Sequence, residues 1–162
     1  MAINFDPYMV LSLEIPKDSS SIYDCLNSYT QKITLDSDNT WTCDKCKEKV
    51  QPEKKIKLWK TSNVVIILLK RYSMFQKKDN FIEYPLQLNL EDYLIDYERK
   101  GKNYKLSGIC IQSGSLRGGH YYAMCHNELD SRWREYNDTH VREVSEDELL
   151  RQKPYCLFYR RL

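Results

Sequence analysis

The sequence predicts an α+β fold in which the sheet dominates. Val64–Leu69 is an unbroken run of six apolar residues, β-branched at its start. That is the signature of a strand buried on both faces in the middle of a sheet. Four more strand-like segments follow residue 103, at 104–112, 120–126, 133–136 and 155–161. A Gly/Ser-rich turn (113–119) and a polar turn (127–132) separate the first three, which predicts an antiparallel meander. The clearest helix signal lies at 20–31. Ser21 with Asp24 forms a capping box in which Asp replaces Glu, and Ile22, Leu26 and Tyr29 follow at helical spacing.

The remaining elements follow in order. Residues 8–15 read as a strand closed by Pro16, and 36–39 are polar turn material leading to Trp41. Residues 54–59 alternate basic with apolar side chains and predict a half-buried strand. Residues 73–80 carry Gln, two Lys, Asp and Asn and predict a mobile loop. A short helix is expected within 91–100, a charged break at 99–103, and a brief helical turn at 146–151.

The chain has 162 residues, enough for one domain or one large piece of a bigger one. Apolar residues make up 41% and charged residues 30%, which excludes wholesale disorder. A net charge of +2 gives no support for nucleic-acid or membrane-surface binding by bulk charge. No apolar run approaches the roughly 20 residues that span a bilayer. No charged start followed by an apolar stretch opens the chain, so no signal peptide is expected. There are no repeats. The thirteen tyrosines suggest a binding surface built from amphipathic aromatics.

The six cysteines, read without a secretory signal, point to a reducing cytoplasmic or nuclear setting. Cys25, Cys110, Cys125 and Cys156 stand singly among apolar or aromatic residues and are expected to act as small buried hydrophobes. Cys43 and Cys46 form a C-x₂-C knuckle, which places two thiols on one tight turn as half of a tetrahedral zinc site. No second C-x₂-C or His pair is present to complete it, and a metal-free pair is the alternative.

A lone histidine is more often structural than catalytic. His120 stands apart because Gly118 and Gly119 precede it, putting the imidazole at a loop–strand junction where backbone can approach a bound chain. Asn137 and Asp138 end what reads as the next strand, so paired strands bring them beside His120. A His oriented by an Asn or Asp oxygen is two-thirds of a Cys-His-Asn hydrolase triad. Taken alone, Asn137-Asp138 also reads as a hairpin turn.

Gly118-Gly119-His120-Tyr121-Tyr122-Ala123, Trp133-x-x-Tyr136-Asn137-Asp138-x-x-Val141 and Tyr155-Cys156-Leu157-Phe158-Tyr159 together resemble the His box of the ubiquitin-specific protease family. Four further stretches match that family in order and spacing: residues 5–16, Trp41-Thr42-Cys43-x-x-Cys46, Val64–Leu69 with Lys70-Arg71-Tyr72, and residues 81–85. The resemblance covers essentially the whole chain. It implies a papain-like cysteine peptidase core with a palm sheet and part of the zinc-ribbon fingers. Residues 1–70 would supply finger strands and one helix, and 71–162 the palm with its blocking loops at 73–80 and 113–119.

By the same resemblance, His120 is the general base and Asn137 orients it, with Asp138 as the runner-up third member. Most members have Asp where Asn137 stands, so the thiolate–imidazolium pair is expected to be less stabilised here. Gly118, Gly119, Tyr121 and Tyr155 would line the channel for the ubiquitin tail. The family's Cys box and first C-x₂-C knuckle are absent, which marks the chain as a C-terminal half without the thumb. The expected activity is thiol-dependent hydrolysis of isopeptide bonds after the last Gly of ubiquitin, with an N-terminal half supplying the nucleophile. Ubiquitin or ubiquitinated proteins and that half are the expected partners, and zinc would be incompletely held. Two alternatives are a non-catalytic ubiquitin-binding module, whose binding would survive loss of His120, and a zinc-ribbon interaction module with no affinity for ubiquitin.

Overall fold

The structure, a computed structural model, describes residues 3–73, 76–95, 102–115 and 118–162. In chain order its elements are β1 (Leu11–Leu13), α1 (Ile22–Thr30), β2 (Ile33–Thr34), β3 (Trp41–Thr42), β4 (Lys49–Val50), β5 (Glu53–Lys54), β6 (Val64–Leu69), β7 (Gln87–Asn89), β8 (Asn103–Ser115), β9 (Gly118–Asn127), β10 (Arg132–Asn137), β11 (His140–Val144), α2 (Glu146–Leu150) and β12 (Pro154–Arg161). Single 3₁₀ turns lie at Ser37–Asn39 and Glu91–Tyr93. The helix expected within 91–100 is reduced to the turn at Glu91–Tyr93, after which Leu94 is extended; residues 96–100 and most of the charged break lie outside the described residues.

Eight strands form one sheet in the order β1-β6-β12-β8-β9-β10-β11, with β7 pairing the start of β8. The predicted meander is present as β8-β9-β10-β11. The sheet is mixed, because β1 runs parallel to β6 while β6 and β12 are antiparallel. β1 and β6 belong to the large sheet, and only the small two-stranded pairs β2–β5 and β3–β4 stand outside it.

Helix α1 forms for local reasons. The Ser21 side chain accepts from the Asp24 N–H, and the Asp24 carboxylate accepts from the Ser21 N–H at 2.9 Å, closing the capping box. Ile22, Cys25 and Leu26 fall on one face and are fully buried. The Ile22 N–H donates to the Glu83 carbonyl at 2.8 Å and docks the helix start on the following layer. Replacing Ser21 by Ala should cost about 1 kcal/mol, read as a shift in the urea midpoint. Backbone N–H donation, first from Ser20, lowers the Asp24 pKa. Its contribution is therefore present above the ordinary Asp pKa and is lost as pH falls through the lowered value. A stability profile for Ser21→Ala that parallels wild type below about pH 5 but not above it would contradict this.

One face of the sheet carries the core. Val65, Ile67 and Leu69 of β6 alternate inward and join Leu106, Ile109, Leu157 and Met124, with α1 and Leu149 of α2 packed against them. The other face is only partly covered, so Val64 is exposed and Ile66 and Leu68 are half-buried. β6 is therefore not buried on both faces as predicted, and it has only β1 between it and the sheet edge. Among the lone cysteines, only Cys25 is fully buried; Cys110, Cys125 and Cys156 are half-buried.

Three other expectations change. The strand predicted over 54–59 shrinks to β5 plus an isolated bridge from buried Leu58 to Leu94. The loop expected over 113–119 is largely strand, since β8 runs to Ser115 and β9 begins at Gly118. β11 has no counterpart among the expected elements. Among the described residues no helix is long and apolar enough to cross a membrane.

Candidate active site

The β8–β9 hairpin and the β9–β10–β11 meander place His120 and Asn137 at one end of the sheet. Ser113 pairs with His120, and Gly114 pairs with Gly119. Asn137 is the last residue of β10 and pairs with His140 across a two-residue turn of Asp138 and Thr139. Asp138 opens this turn at φ 52°, a left-handed conformation that Asp tolerates. The hairpin-turn interpretation of this dipeptide and its approach to His120 therefore hold together.

His120 Nε2 lies 2.6 Å from Asn137 Oδ1, while Asp138 Oδ2 lies 3.8 Å away, beyond hydrogen-bond range. An amide oxygen can only accept, so the bond places a proton on Nε2. In the neutral ring Nδ1 is then the basic nitrogen, and half of the side chain remains open to solvent. The arrangement can take a proton at Nδ1 and return it, with the ring held in one tautomer.

The glycines before His120 are not equivalent. A Cβ on Gly119 would overlap Gln112 Nε2 and fall 2.5 Å from the Ser113 carbonyl oxygen, whereas one on Gly118 meets nothing within 4 Å. Beside them, Tyr121 and Tyr155 meet edge-on at 6.0 Å, and Tyr155 meets Tyr72 at 6.1 Å. These rings form one row at the strand ends.

Arg71, which stands in the Lys70-Arg71-Tyr72 motif without an assigned role, and Lys77 join the surroundings. Arg71 is 3% exposed. Its Nε donates to the Pro154 carbonyl at 2.7 Å, and its Nη1 donates to the carbonyls of Lys78 and Asn80 at 3.0 and 2.9 Å. Lys77 donates to the Gly114 carbonyl at 2.9 Å and lies over the Tyr72 ring. The segment around residues 73–80, expected as a mobile loop, is thus tied at both arms; residues 74–75 lie outside the described set. A basic residue following an apolar strand was visible in the sequence, but its carbonyl partners were not.

Cys43 and Cys46 occupy the turn between β3 and β4. The Cys43 N–H donates to the Glu48 carbonyl at 2.9 Å, and Lys47 turns at φ 63°. Donation to the Cys43 sulfur, first from the Cys46 N–H and then from that of Lys45, lowers its pKa. This favours the thiolate a soft metal requires. Among the described residues no group of three or more His, Cys, Asp or Glu side chains gathers to hold a metal. The turn fits two positions of a tetrahedral site and no more. Burial pushes the other four thiols up, Cys156 to about 11, with a second upward push there from Cys110.

The His120–Asn137 pair at the end of a mixed sheet is an arrangement suited to acid–base chemistry. The ubiquitin carboxyl-terminal hydrolase family model matches residues 14–159. The chain belongs to this family of cysteine peptidases. It is 38% identical to the probable ubiquitin carboxyl-terminal hydrolase R319 of Acanthamoeba polyphaga mimivirus, covering 96% of this chain and 35% of that protein. It is 31% identical to human ubiquitin carboxyl-terminal hydrolase 15, over 99% of this chain and 17% of that one. Among solved structures, the SAGA Ubp8/Sgf11/Sus1/Sgf73 DUB module bound to ubiquitin aldehyde superposes with a TM-score of 0.85 at 34% identity, covering 97% of this chain and 36% of the other. A variant of the same module bound to monoubiquitin gives 0.84 at 32% identity, with the same coverage of 97% and 36%. The chain thus spans about a third or less of these relatives.

Proposed function

We propose that this chain is the C-terminal part of a thiol-dependent deubiquitinase domain, the palm and part of the fingers, and supplies its base and orienting group. The observation that carries this is the 2.6 Å contact between His120 Nε2 and Asn137 Oδ1 at the sheet end, with Nδ1 left basic. Nδ1 takes the proton of a cysteine thiol held by an N-terminal segment. The thiolate attacks the carbonyl carbon of the last Gly of ubiquitin. The imidazolium then protonates the departing lysine amine, leaving a thioester. His120 next deprotonates water, which attacks the thioester, and the proton returns to the thiol sulfur as the carboxylate leaves. Asn137 keeps the ring in the productive tautomer, and Asp138 contributes at most a longer-range charge.

The thiols of this chain support a nucleophile from elsewhere. Burial moves four of them away from the thiolate form, and Cys43 belongs to the knuckle. Tyr121 and Tyr155 are proposed to flank the ubiquitin tail, with Gly118 and Gly119 leaving space beside it.

The test uses ubiquitin carrying a thiol-reactive electrophile at its C-terminus, read by intact mass. The expected result is no adduct on this chain alone. An adduct should form on the cysteine-bearing N-terminal segment of a family member when this chain is present, and not without it. A ubiquitin-sized adduct on this chain would overturn the proposal. Binding of ubiquitin with no adduct on either part would instead favour the non-catalytic binding module. We also propose that Cys43 and Cys46 hold half of a zinc site completed by that segment. Native mass spectrometry should then find zinc on the assembled pair but not on its Cys43→Ser variant; equal zinc on both would exclude it.

A further inference from the structure

Arg71 is a buried cation that forms no ion pair among the described residues. Its charge is met by three backbone carbonyls instead, and its Nη2 is buried with no hydrogen-bond partner among the described residues. A cation so held is a costly way to stabilise a core, because apolar packing of similar volume serves as well or better. What the guanidinium supplies is geometry. Its planar fork reaches two carbonyls on the 78–80 arm and one at Pro154, eighty-three residues beyond Arg71 itself.

Each anchored point adjoins the site. Pro154 immediately precedes Tyr155, whose ring lies between those of Tyr72 and Tyr121. Tyr72 is the next residue after Arg71 and pairs with Lys77 through an isolated bridge. The Arg71 carbonyl accepts from the Lys78 N–H at 2.6 Å, so backbone and side chain grip the same arm. From that arm Lys77 reaches the Gly114 carbonyl, on the strand paired with Gly119 beside His120. One buried side chain therefore sets the spacing of the three-ring row and, through Lys77, ties residues 76–80 to the glycine hairpin.

Resting on the function proposed above, the geometry points to Arg71 as a positioning residue for the channel that receives the ubiquitin tail. It fixes where Tyr155 and residues 76–80 stand without touching the tail itself. Lysine keeps the charge but has no fork, and can hold one of the two segments only.

The test is calorimetric titration of the full chain with ubiquitin and with ubiquitin lacking its last two glycines. Wild type is expected to prefer intact ubiquitin by at least about tenfold, the scale of one or two charge-assisted hydrogen bonds. Arg71→Lys is expected to reduce that preference to about twofold or less, with binding of the truncated form unchanged. Tyr104→Phe removes hydrogen bonds to Thr61 and Ser62 at the opposite end of β8, and should leave the preference intact. Lys77→Ala cuts the partly exposed continuation of the same contacts; it should lower the preference by at least about threefold, and it decides the matter if Arg71→Lys does not fold.

An unchanged preference in folded Arg71→Lys would overturn the proposal. So would an equal loss for both ubiquitins, or loss of preference in Tyr104→Phe, since each marks general damage to the fold. A wild type that binds neither ubiquitin, or both alike, fails earlier: the tail-binding proposal itself falls, and the role of Arg71 falls with it.

Discussion

Alanine at position 120 lowers electrophile capture by the assembled domain by about 10²- to 10⁴-fold, the range general acid–base catalysis supplies. The mechanism gives His120 its proton transfers through Nδ1, and no other described side chain donates to or accepts from the Asn137 amide oxygen at comparable range. Ubiquitin binding should be nearly unaffected, because the ring lies half in solvent and carries little of the packing. Asn137→Ala should cost less, since the imidazole remains but its tautomer is no longer held. Asn137→Asp should match or exceed wild type, because a carboxylate stabilises the imidazolium that an amide only orients. Rates from wild type, His120→Ala, Asn137→Ala and Asn137→Asp, measured at saturating ubiquitin electrophile, decide this. A His120→Ala variant that kept about a tenth of the wild-type rate would remove the histidine from the mechanism.

Gly119→Ala and Gly118→Ala differ by one position and should differ widely in stability. At Gly119 the new methyl would meet the flexible Gln112 amide and, at 2.5 Å, a backbone carbonyl of β8. The amide can swing aside, but the carbonyl belongs to the sheet. Overpacking of this kind costs about 1–3 kcal/mol, and the rigid neighbour favours the upper end. At Gly118 the methyl enters open space, so the change should stay within about 0.5 kcal/mol. Urea midpoints at constant m-value test the contrast. Equal midpoints would show that β8 and β9 separate freely at this end. Gly118→Ala has a second use, because any loss of tail recognition it causes cannot be charged to instability.

Local features were legible in the sequence, and long-range ones were not. The Ser21–Asp24 box and the Ile22, Cys25, Leu26 face are written within one helix, and α1 (Ile22–Thr30) falls inside the predicted 20–31. His120 could be placed beside Asn137 because a meander leaves little choice of register once its turns are seen. β11 escaped notice because its turn, Asp138-Thr139, has no glycine and its residues are mostly polar and exposed. The predicted antiparallel sheet omitted the parallel β1–β6 pair, and no local signal reports that pairing. Arg71 stands in the Lys70-Arg71-Tyr72 motif after an apolar strand, and nothing local reports what it holds. Its acceptors lie seven, nine and eighty-three residues away, so its burial is a property of the assembled sheet. Gly118 and Gly119 look alike in sequence and differ only in what faces them across the strand.

The place of β12 between β6 and β8 has a consequence for the order in which the molecule is made. As the chain leaves the ribosome, β1 with β6 and the β8–β11 meander emerge as two separate pieces. Neither can bond to the other, because the strand that joins them is the C-terminal one of the twelve. Until residues 154–161 are available, β6 and β8 each present an unpaired edge, and β6 carries apolar side chains on both of its faces. Such edges recruit other strands, so nascent or truncated chains are expected to need chaperone protection in that interval. Completion of the sheet is one late event with long-range closure, which makes folding slow for the size of the chain. It also makes a chain cut before Pro154 a poor candidate for a stable fragment, however much of the sequence it keeps.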